Sequence, residues 1–199
     1  MESDKVVTYL QMTSPSQLRW ARAVEGLVLV PAKDLAGVSL PQLQETHDRI
    51  ASAHRWSSLA WSRRNWIEWL SDPALHHWWI HLNDELAGWG CLRWHSEGDV
   101  ELDTFGLRPE FIGRGYGGYS LSLLTEAAWN LQGPQNNAEF GGKTQRVWLH
   151  TSSWDHPHAL ANYLARGFVP VECRHLDSWT VPGSKKAASA PTVPDQGHH

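Results

Sequence analysis

The sequence predicts an α/β domain of the α+β type, in which a mixed, mostly antiparallel central sheet is flanked by helices. Three extended segments, residues 76–82, 86–95 and 100–107, follow one another through connections of a few residues, as in an antiparallel meander. Apolar residues recur at helical spacing before the meander, in residues 39–50 and 58–70, and after it, in residues 116–130. At 199 residues the chain is most simply one domain.

The remaining elements are predicted in chain order. Residues 6–12 and 27–30 are short strands, the second bounded by Gly26 and Pro31. Pro41 suits the first turn of the helix that begins near residue 39, and Asp72-Pro73 ends the helix that begins near residue 58. After the third helix come a polar loop at 132–144, a strand at 147–150, a helix at 157–166 and a last strand at 168–175.

Composition excludes several function classes. The formal charge of −4 gives no general attraction for nucleic acid. No stretch approaches the roughly 20 apolar residues of a membrane span, so we expect a cytoplasmic protein with no membrane partner. Two cysteines indicate reduced thiols. We expect one domain over residues 1–183 and a disordered tail at 184–199, whose composition has no core-forming pattern. The oligomeric state stays open, with a homodimer among the options.

Tryptophan is unusually abundant, with 13 in the chain and eight between residues 56 and 94. Such side chains either pack in a core or form an aromatic wall that binds an apolar or cationic substrate. We expect two or three of them to line a pocket, and name Trp56 and Trp61 as candidates.

Residues 101–119 contain the stretch with the clearest chemistry. A predicted strand passes into a turn with Gly113, Gly115, Gly117 and Gly118, which opens a helix. Glycines let backbone N–H groups approach a phosphate, and the helix N-terminus attracts its charge. A Rossmann site is disfavoured because this turn follows a meander, late in the chain, and a Walker loop would end in Gly-Lys-Ser/Thr.

The order of elements and two motifs resemble the GCN5-related N-acetyltransferase (GNAT) superfamily. Ile112-Gly-Arg-Gly-Tyr-Gly117, preceded by Leu107-Arg-Pro-Glu110, is similar to the family's Arg/Gln-x-x-Gly-x-Gly/Ala turn. Residues 159–168, with Tyr163 four residues before Gly167-Phe168, resemble a helix of the same family. The chain departs from the pattern at Ile112, where the family has Arg or Gln, and at His156, where it often has Asn.

The resemblance implies acetyl-CoA, or a related acyl-CoA, as the phosphate ligand. Its implied binding residues are Leu107, Gly113, Arg114, Gly115, Tyr116, Gly117 and Gly118, with Asn162 as a further amide. It also implies Glu101 as the general base, with Asp103 as an alternative base or as a group that holds a cationic acceptor. Tyr163 matches the tyrosine that acts as general acid.

The sequence therefore predicts an N-acetyltransferase that uses acetyl-CoA and an amine acceptor with an aromatic or apolar body, by direct transfer in a ternary complex. Trp56, Trp61, Asp103 and His150 are the candidate acceptor-binding residues. We expect no metal, because the histidines near residue 150 lack ligand spacing such as His-Glu-x-x-His. The alternative hypothesis is a non-catalytic acyl-CoA-binding module that regulates a partner.

Overall fold

The computed structural model describes residues 5–32, 40–54, 56–133 and 142–176, and within them contains seven strands and four α-helices. The strands are β1 (Lys5–Met12), β2 (Leu27–Ala32), β3 (Leu75–Leu82), β4 (Glu85–Trp94), β5 (Asp99–Leu107), β6 (Arg146–Ser152) and β7 (Val169–Leu176). The helices are α1 (Leu40–Ala51), α2 (Arg63–Leu70), α3 (Tyr116–Asn130) and α4 (Ala159–Ala165).

The strands form one sheet in the order β2-β3-β4-β5-β6-β1-β7. Adjacent strands are antiparallel except for β5 and β6, which are parallel. This arrangement confirms the predicted fold class and the meander over β3, β4 and β5. Within the described residues, none of the helices is long and apolar enough to cross a membrane.

The parallel pairing of β5 with β6 is short, and it leaves the sheet open between the two strands. β5 and β6 pair at only three positions, from Asp99 with Arg146 to Glu101 with Trp148. Beyond Glu101 the two strands are no longer paired, so the sheet opens between them. Glu101 therefore lies at the apex of a wedge whose sides are the remainders of β5 and β6.

A β-bulge in β5 lies two residues beyond this apex. Cys91 on β4 pairs with Thr104, whereas the next residue, Leu92, pairs with Leu102, so Asp103 is the extra residue. A bulge bends its strand and re-aims nearby side chains. The bulge interrupts the simple alternation by which residues two apart on a strand, such as Glu101 and Asp103, would share a face.

The two faces of the sheet are covered by different helices. Alternate residues of β4 point to opposite faces: Leu92 packs in the cluster that contains Leu121 and Leu124 of α3, while Trp89 and Cys91 pack in the cluster of α1 and α2. Gly90 is needed where α3 crosses, because a Cβ there would lie 2.7 Å from Leu124 Cδ2.

The helix predicted from residue 58 begins later than expected. A short 3₁₀ turn occupies Ser57–Ala60, and α2 starts only after Ser62. Ser62 Oγ accepts from the backbone N–H of Asn65 at 3.3 Å, and Asn65 Oδ1 accepts from the N–H of Ser62 at 3.0 Å. This reciprocal cap fixes the helix start at Ser62. The predicted tail at 184–199 lies outside the described residues, as does the part of the predicted polar loop at 134–141.

Candidate active site

A cleft of about 1700 Å³ occupies the wedge between β5 and β6. At the glycine turn its lining includes Ile112, Gly113, Gly115, Gly117 and Gly118, but not Arg114 or Tyr116, which were predicted from the sequence. The other end is formed by the tryptophan-rich segment before and within α2. Glu101, Asp103, Leu107, Asn162 and Tyr163 line the space between. The structure thus brings most of the residues singled out by sequence into one continuous space.

The glycine turn adopts backbone conformations that side chains resist. Gly113 and Gly115 have φ of +79° and +81°, and no other atom lies within 4 Å of a Cβ built on either. Gly115 is the N-cap of α3, a helix of 15 residues. The turn therefore presents an open cradle at a helix N-terminus, which suits an anion.

Glycines 113, 115 and 118 also have the Gly-x-Gly-x-x-Gly spacing of a dinucleotide-binding turn. The strand before them, β5, pairs antiparallel with β4 and is the third strand of a meander. A Rossmann turn instead follows the first strand of a parallel βαβ unit. The strand topology therefore distinguishes this turn from a Rossmann site, whereas the spacing of the glycines alone does not.

Helix α4 packs against the start of α3 and adds polar groups to the turn. Asn162 Nδ2 donates to the Gly117 carbonyl at 3.3 Å. A Cβ on Gly118 would lie 2.6 Å from Arg166 Nη1, so this guanidinium lies directly beside the turn. Sequence reasoning missed Arg166, although its position four residues after Asn162 places both on one face of α4. Ile112 and Arg114 are exposed at the turn.

Two ion pairs join the loop after β5 to α1. Arg108 Nη2 donates to Glu45 Oε2 at 2.5 Å and to Thr46 Oγ1 at 2.8 Å. Arg49 Nη2 contacts both carboxylate oxygens of Glu110, at 2.8 and 2.9 Å. Both contacts to Glu110 come from the one nitrogen Nη2, while Arg49 Nη1 donates to Glu45 Oε1 at 3.3 Å. These contacts hold the segment that carries Leu107 and the glycine turn against α1.

Glu101 is a buried carboxylate held by two histidines. It is 3% exposed, and its Oε2 lies 2.9 Å from His95 Nε2 while Oε1 lies 3.6 Å from His150 Nδ1. Burial by itself raises the pKa of Glu101, but the interactions with His150 and His95 outweigh it and hold the pKa at about 2. Glu101 is therefore ionised at neutral pH.

Asp103, two residues after Glu101 on β5, has a different charged neighbour. Its Oδ1 lies 3.5 Å from Arg93 Nε, and Arg93 Nη1 also pairs with Asp72 Oδ2. The side chain of Asp103 is 5% exposed. Arg93 thus connects two carboxylates that line the cleft, and the group of three retains one negative charge.

Tyr163 projects from α4 into the cleft and its ring packs edge-on against Phe168, with ring centroids 6.2 Å apart. Burial raises the pKa of Tyr163, and the negative charge of Asp155 adds to the effect. The phenol consequently stays protonated and can donate a hydrogen bond throughout the neutral pH range.

The end of the cleft at the tryptophan-rich segment is aromatic and acidic. Trp56, Trp61 and Trp69 line it, and Trp56 Nε1 donates to Asp155 Oδ1 at 3.2 Å across the cleft. The charged side chains that line the whole cleft are Glu68, Asp72, Glu101, Asp103, Asp155, Lys5 and Arg93. This excess of carboxylates, combined with indole rings, favours a cationic ligand with an apolar body.

The histidines around the cleft belong to two groups. His150 faces Glu101, while the His156 ring contacts those of His54 and His158, with ring centroids 6.1 and 5.4 Å apart. In the parts of the chain that the structure describes, no group of three or more His, Cys, Asp or Glu residues is arranged to hold a metal ion. The second histidine on Glu101, His95, was missed by sequence reasoning because its contact depends on the register in which β4 and β5 pair.

Comparison with known proteins gives the family and fold neighbours. Residues 41–168 match the family model described as Acetyltransferase (GNAT) family. The chain is similar to a GCN5-related N-acetyltransferase from Sphaerobacter thermophilus, with a TM-score of 0.62, 13% identity, and coverage of 86% of this chain and 50% of that chain. A GCN5-related N-acetyltransferase from Kribbella flavida gives a TM-score of 0.54, 15% identity, and coverage of 85% and 55%.

A third structure, an acetyltransferase from Thermus thermophilus, gives a TM-score of 0.52 with 20% identity and covers 77% of this chain and 99% of its own. At these identities the structures share the fold. The chain spans about half the length of the Kribbella and Sphaerobacter proteins. No curated protein matches the chain.

Proposed function

The chain belongs to the acetyltransferase (GNAT) family, and on that premise we propose that it transfers an acetyl group from acetyl-CoA to a primary amine of a small molecule or peptide. The observation that carries the proposal is the continuity of the cleft. One space of about 1700 Å³ joins the glycine turn to the acidic, aromatic end and passes Glu101 and Tyr163 on the way. Two substrates can therefore meet there in a ternary complex.

Direct attack of the amine is favoured over a covalent enzyme intermediate. A thiol intermediate would need a cysteine in the cleft, and among the described residues neither Cys91 nor Cys173 lines it. Cys91 is buried in the cluster of α1 and α2, while Cys173 is exposed on β7. The acetyl group then passes directly from the thioester to the amine, with no covalent intermediate on the enzyme.

Acetyl-CoA would occupy the end of the cleft at the glycine turn. Backbone N–H groups of the turn and the N-terminus of α3 would bind the pyrophosphate. The residues proposed for this part are Gly113, Arg114, Gly115, Tyr116, Gly117 and Gly118, with Asn162 beside them. Leu107, at the end of β5, would place the thioester carbonyl near a backbone N–H, where negative charge develops during attack.

The acceptor would enter at the tryptophan end as an ammonium ion. An alkylamine with a pKa near 10.4 has only about one neutral molecule in 2,500 at pH 7, so a site that selects the cation must also remove a proton. Asp103 and the faces of Trp56 and Trp61 supply attraction for the cation and its apolar body. We propose that the proton leaves by a path that depends on Glu101 and reaches the cleft surface at His150.

Tyr163 is proposed to assist the leaving group. Its phenol remains protonated because burial raises its pKa, so it can donate a hydrogen bond to the sulfur as the carbon–sulfur bond breaks. A hydrogen bond of this kind stabilises the developing thiolate even before the proton moves. Removal of the hydroxyl should therefore lower the rate of transfer more than it lowers binding of acetyl-CoA.

The experiment measures free CoA thiol and acetylated amine together, with acetyl-CoA and a panel of alkylamines, arylalkylamines and peptides. We expect turnover with amines that carry an aromatic or apolar body, and a reduction in kcat of about 10²–10⁴-fold in Tyr163→Phe. Cys173→Ser, a change on β7 outside the cleft, serves as the matched control.

Binding of CoA without any acetylated product across the panel would refute the proposal. That result would favour the second candidate, a non-catalytic module that binds acyl-CoA and regulates a partner. The departure at Ile112, which removes a polar side chain from the turn, is the observation that favours this alternative.

A further inference from the structure

His150 occupies a special position at the apex of the wedge. It lies on β6 two residues beyond Trp148, which is the last residue of β6 paired with β5. The side chain of His150 is 37% exposed and lines the cleft, whereas that of Glu101 is 4% exposed and lies behind it. The carboxylate is thus the inner member of the pair and the imidazole is the outer one.

The two ring nitrogens of His150 have different surroundings. Nδ1 lies 3.6 Å from Glu101 Oε1, a distance that is too long for a hydrogen bond but within the range of an ion pair. Catalytic hydrogen bonds are often long in the absence of substrate. Among the described residues no hydrogen-bond partner is found for Nε2, so this nitrogen is free to accept a proton from a molecule in the cleft.

We propose that His150 Nε2 is the atom that takes the proton from the attacking amine, and that Glu101 is a positioning residue that holds His150 with its proton on Nδ1. His95, on the second oxygen of Glu101, fixes the carboxylate in turn. This inference rests on the proposed acetyl transfer. It assigns the base to the outer imidazole, because the inner carboxylate is already committed to two partners.

The charges around His150 agree with this assignment. β1 places Tyr9 opposite it, with ring centroids 5.7 Å apart, and β7 places Arg174 over the Tyr9 ring with Glu172 beside it. β5 contributes Glu101 and Asp103, and β4 contributes Arg93, whose charge also reaches Glu101.

Among these groups the carboxylate nearest to the imidazole is Glu101. An imidazolium formed at His150 would therefore face a negative charge, and the proton transfer that forms it is stabilised.

The proton and electron transfers balance as follows. The bound ammonium ion first releases one proton to solvent by way of His150, which becomes neutral again. The lone pair of the neutral amine then forms a nitrogen–carbon bond to the thioester carbonyl carbon, while the carbonyl π pair moves onto oxygen. One N–H proton passes to His150 Nε2. The carbonyl re-forms, the carbon–sulfur bond breaks with its electron pair on sulfur, and the sulfur receives the Tyr163 proton. His150 then releases its proton through solvent, which restores Tyr163 and leaves one amide and one CoA thiol.

The first test needs neither acetyl-CoA nor an acceptor. Imidazole nitrogen NMR of the intact protein, titrated from acid to alkaline pH, reports the tautomer of each histidine. We expect neutral His150 to carry its proton on Nδ1 in the wild type, and Glu101→Gln to move the tautomer equilibrium toward Nε2. A neutral wild-type His150 with its proton on Nε2, or a tautomer ratio unchanged in Glu101→Gln, would overturn the proposal.

The second test measures kcat and KM for acetyl-CoA as a function of pH in the wild type and in each variant, with 2-phenylethylamine as the acceptor. The ionisation of this amine affects all the proteins equally, so it cancels in the comparison. We expect His150→Gln to lower kcat about 100-fold or more without changing KM, and to remove an acid limb between about pH 5 and 8, where imidazoles titrate. Glu101→Gln should retain that limb and, through the lost charged contact to His150, lower kcat about tenfold. His81→Gln, on β3 outside the cleft, is the matched control.

The outcomes distinguish a failure of the His150 proposal from a failure of the proposed acetyl transfer. Full activity in His150→Gln together with inactive Glu101→Gln would assign the base to the carboxylate and overturn this proposal, while acetyl transfer stands. If the wild-type protein acetylates no amine, the proposed function fails, and the NMR titration still decides whether Glu101 sets the tautomer of His150.

Discussion

Replacement of Gly115 by alanine tests the glycine turn at a single backbone angle. Gly115 has φ of +81° and ψ of 1°, the left-handed conformation, and no neighbouring atom lies within 4 Å of the added Cβ. Steric conflict with neighbours is therefore absent, and the cost is the backbone preference alone, about 1–2 kcal/mol. If the turn keeps its shape, this cost lowers the free energy of unfolding, and for a chain of this size the melting temperature falls by about 2–8 °C.

The same strain can instead be relieved by a change in the shape of the turn. The free energy then appears as weaker binding of CoA, by about 5–30-fold, because the N–H groups no longer converge. Urea denaturation without ligand and calorimetric titration with CoA measure the two parts, which should total about 1–2 kcal/mol. A variant that matched the wild type in both measurements would refute the left-handed turn as a requirement.

Gly117→Ala is the control, because it should change the free energy of unfolding in the opposite direction. Gly117 lies in the first turn of α3, and a Cβ there would have its nearest neighbours, Asn162 Nδ2 and Leu107 Cδ1, at 3.9 Å. This is an ordinary van der Waals distance, so the replacement should raise the free energy of unfolding by up to about 1 kcal/mol through helix propensity. The two neighbouring alanine variants should therefore separate in opposite directions.

Three further predictions concern packing and pH. Burial lowers the pKa of His77 to about 4, so below pH 6.5 the unfolded chain binds a proton that the folded chain does not. About 3 kcal/mol of stability should therefore be lost between pH 6.5 and 4. Urea denaturation of His77→Leu at the same pH values should lack this loss, and wild-type and variant stabilities that fall in parallel would contradict it. Gly106→Ala places a Cβ 2.3 Å from Ile50 Cγ2 and should cost about 1–3 kcal/mol, with a smaller added cost in Ile50→Ala; additive denaturation energies would contradict the contact. Trp56→Phe removes the hydrogen bond to Asp155 and should cost about 1 kcal/mol and raise KM for the amine, whereas unchanged stability and KM would show that the bridge has no role.

Most elements of the fold could be predicted because their signals are local. The segments that connect β3 to β4 and β4 to β5 are only a few residues long, so the antiparallel pairing of these strands follows from the short connections alone. The short parallel pair of β5 with β6 joins residues 99–101 to 146–148, and no local pattern contains that pairing. The bulge at Asp103 was also missed, because strand alternation assumes one residue on each side of every pair.

The sequence predicted which residues belong to the candidate site better than it predicted which of them are in contact. Glu101 and His150 were both chosen from sequence, but as a base and as an acceptor-binding residue, with no reason to place them in contact. Their contact depends on the end of the parallel pairing. His95 could have been found from the β4 to β5 hairpin, because Trp94 pairs with Val100 and this register brings the end of β4 close to Glu101.

The position of Glu101 explains how one carboxylate can serve both binding and chemistry. A buried carboxylate is tolerated only when hydrogen-bonded or paired, and two histidines meet this need at the last paired position of β5 and β6. At neutral pH the carboxylate is ionised, so its negative charge adds to those of Asp103 and Asp155 and attracts an ammonium ion. In the proposed transfer, the amine would give up its proton and the same charge would stabilise the imidazolium of His150. A single fixed charge at the apex would therefore first favour the substrate cation and then favour its deprotonation.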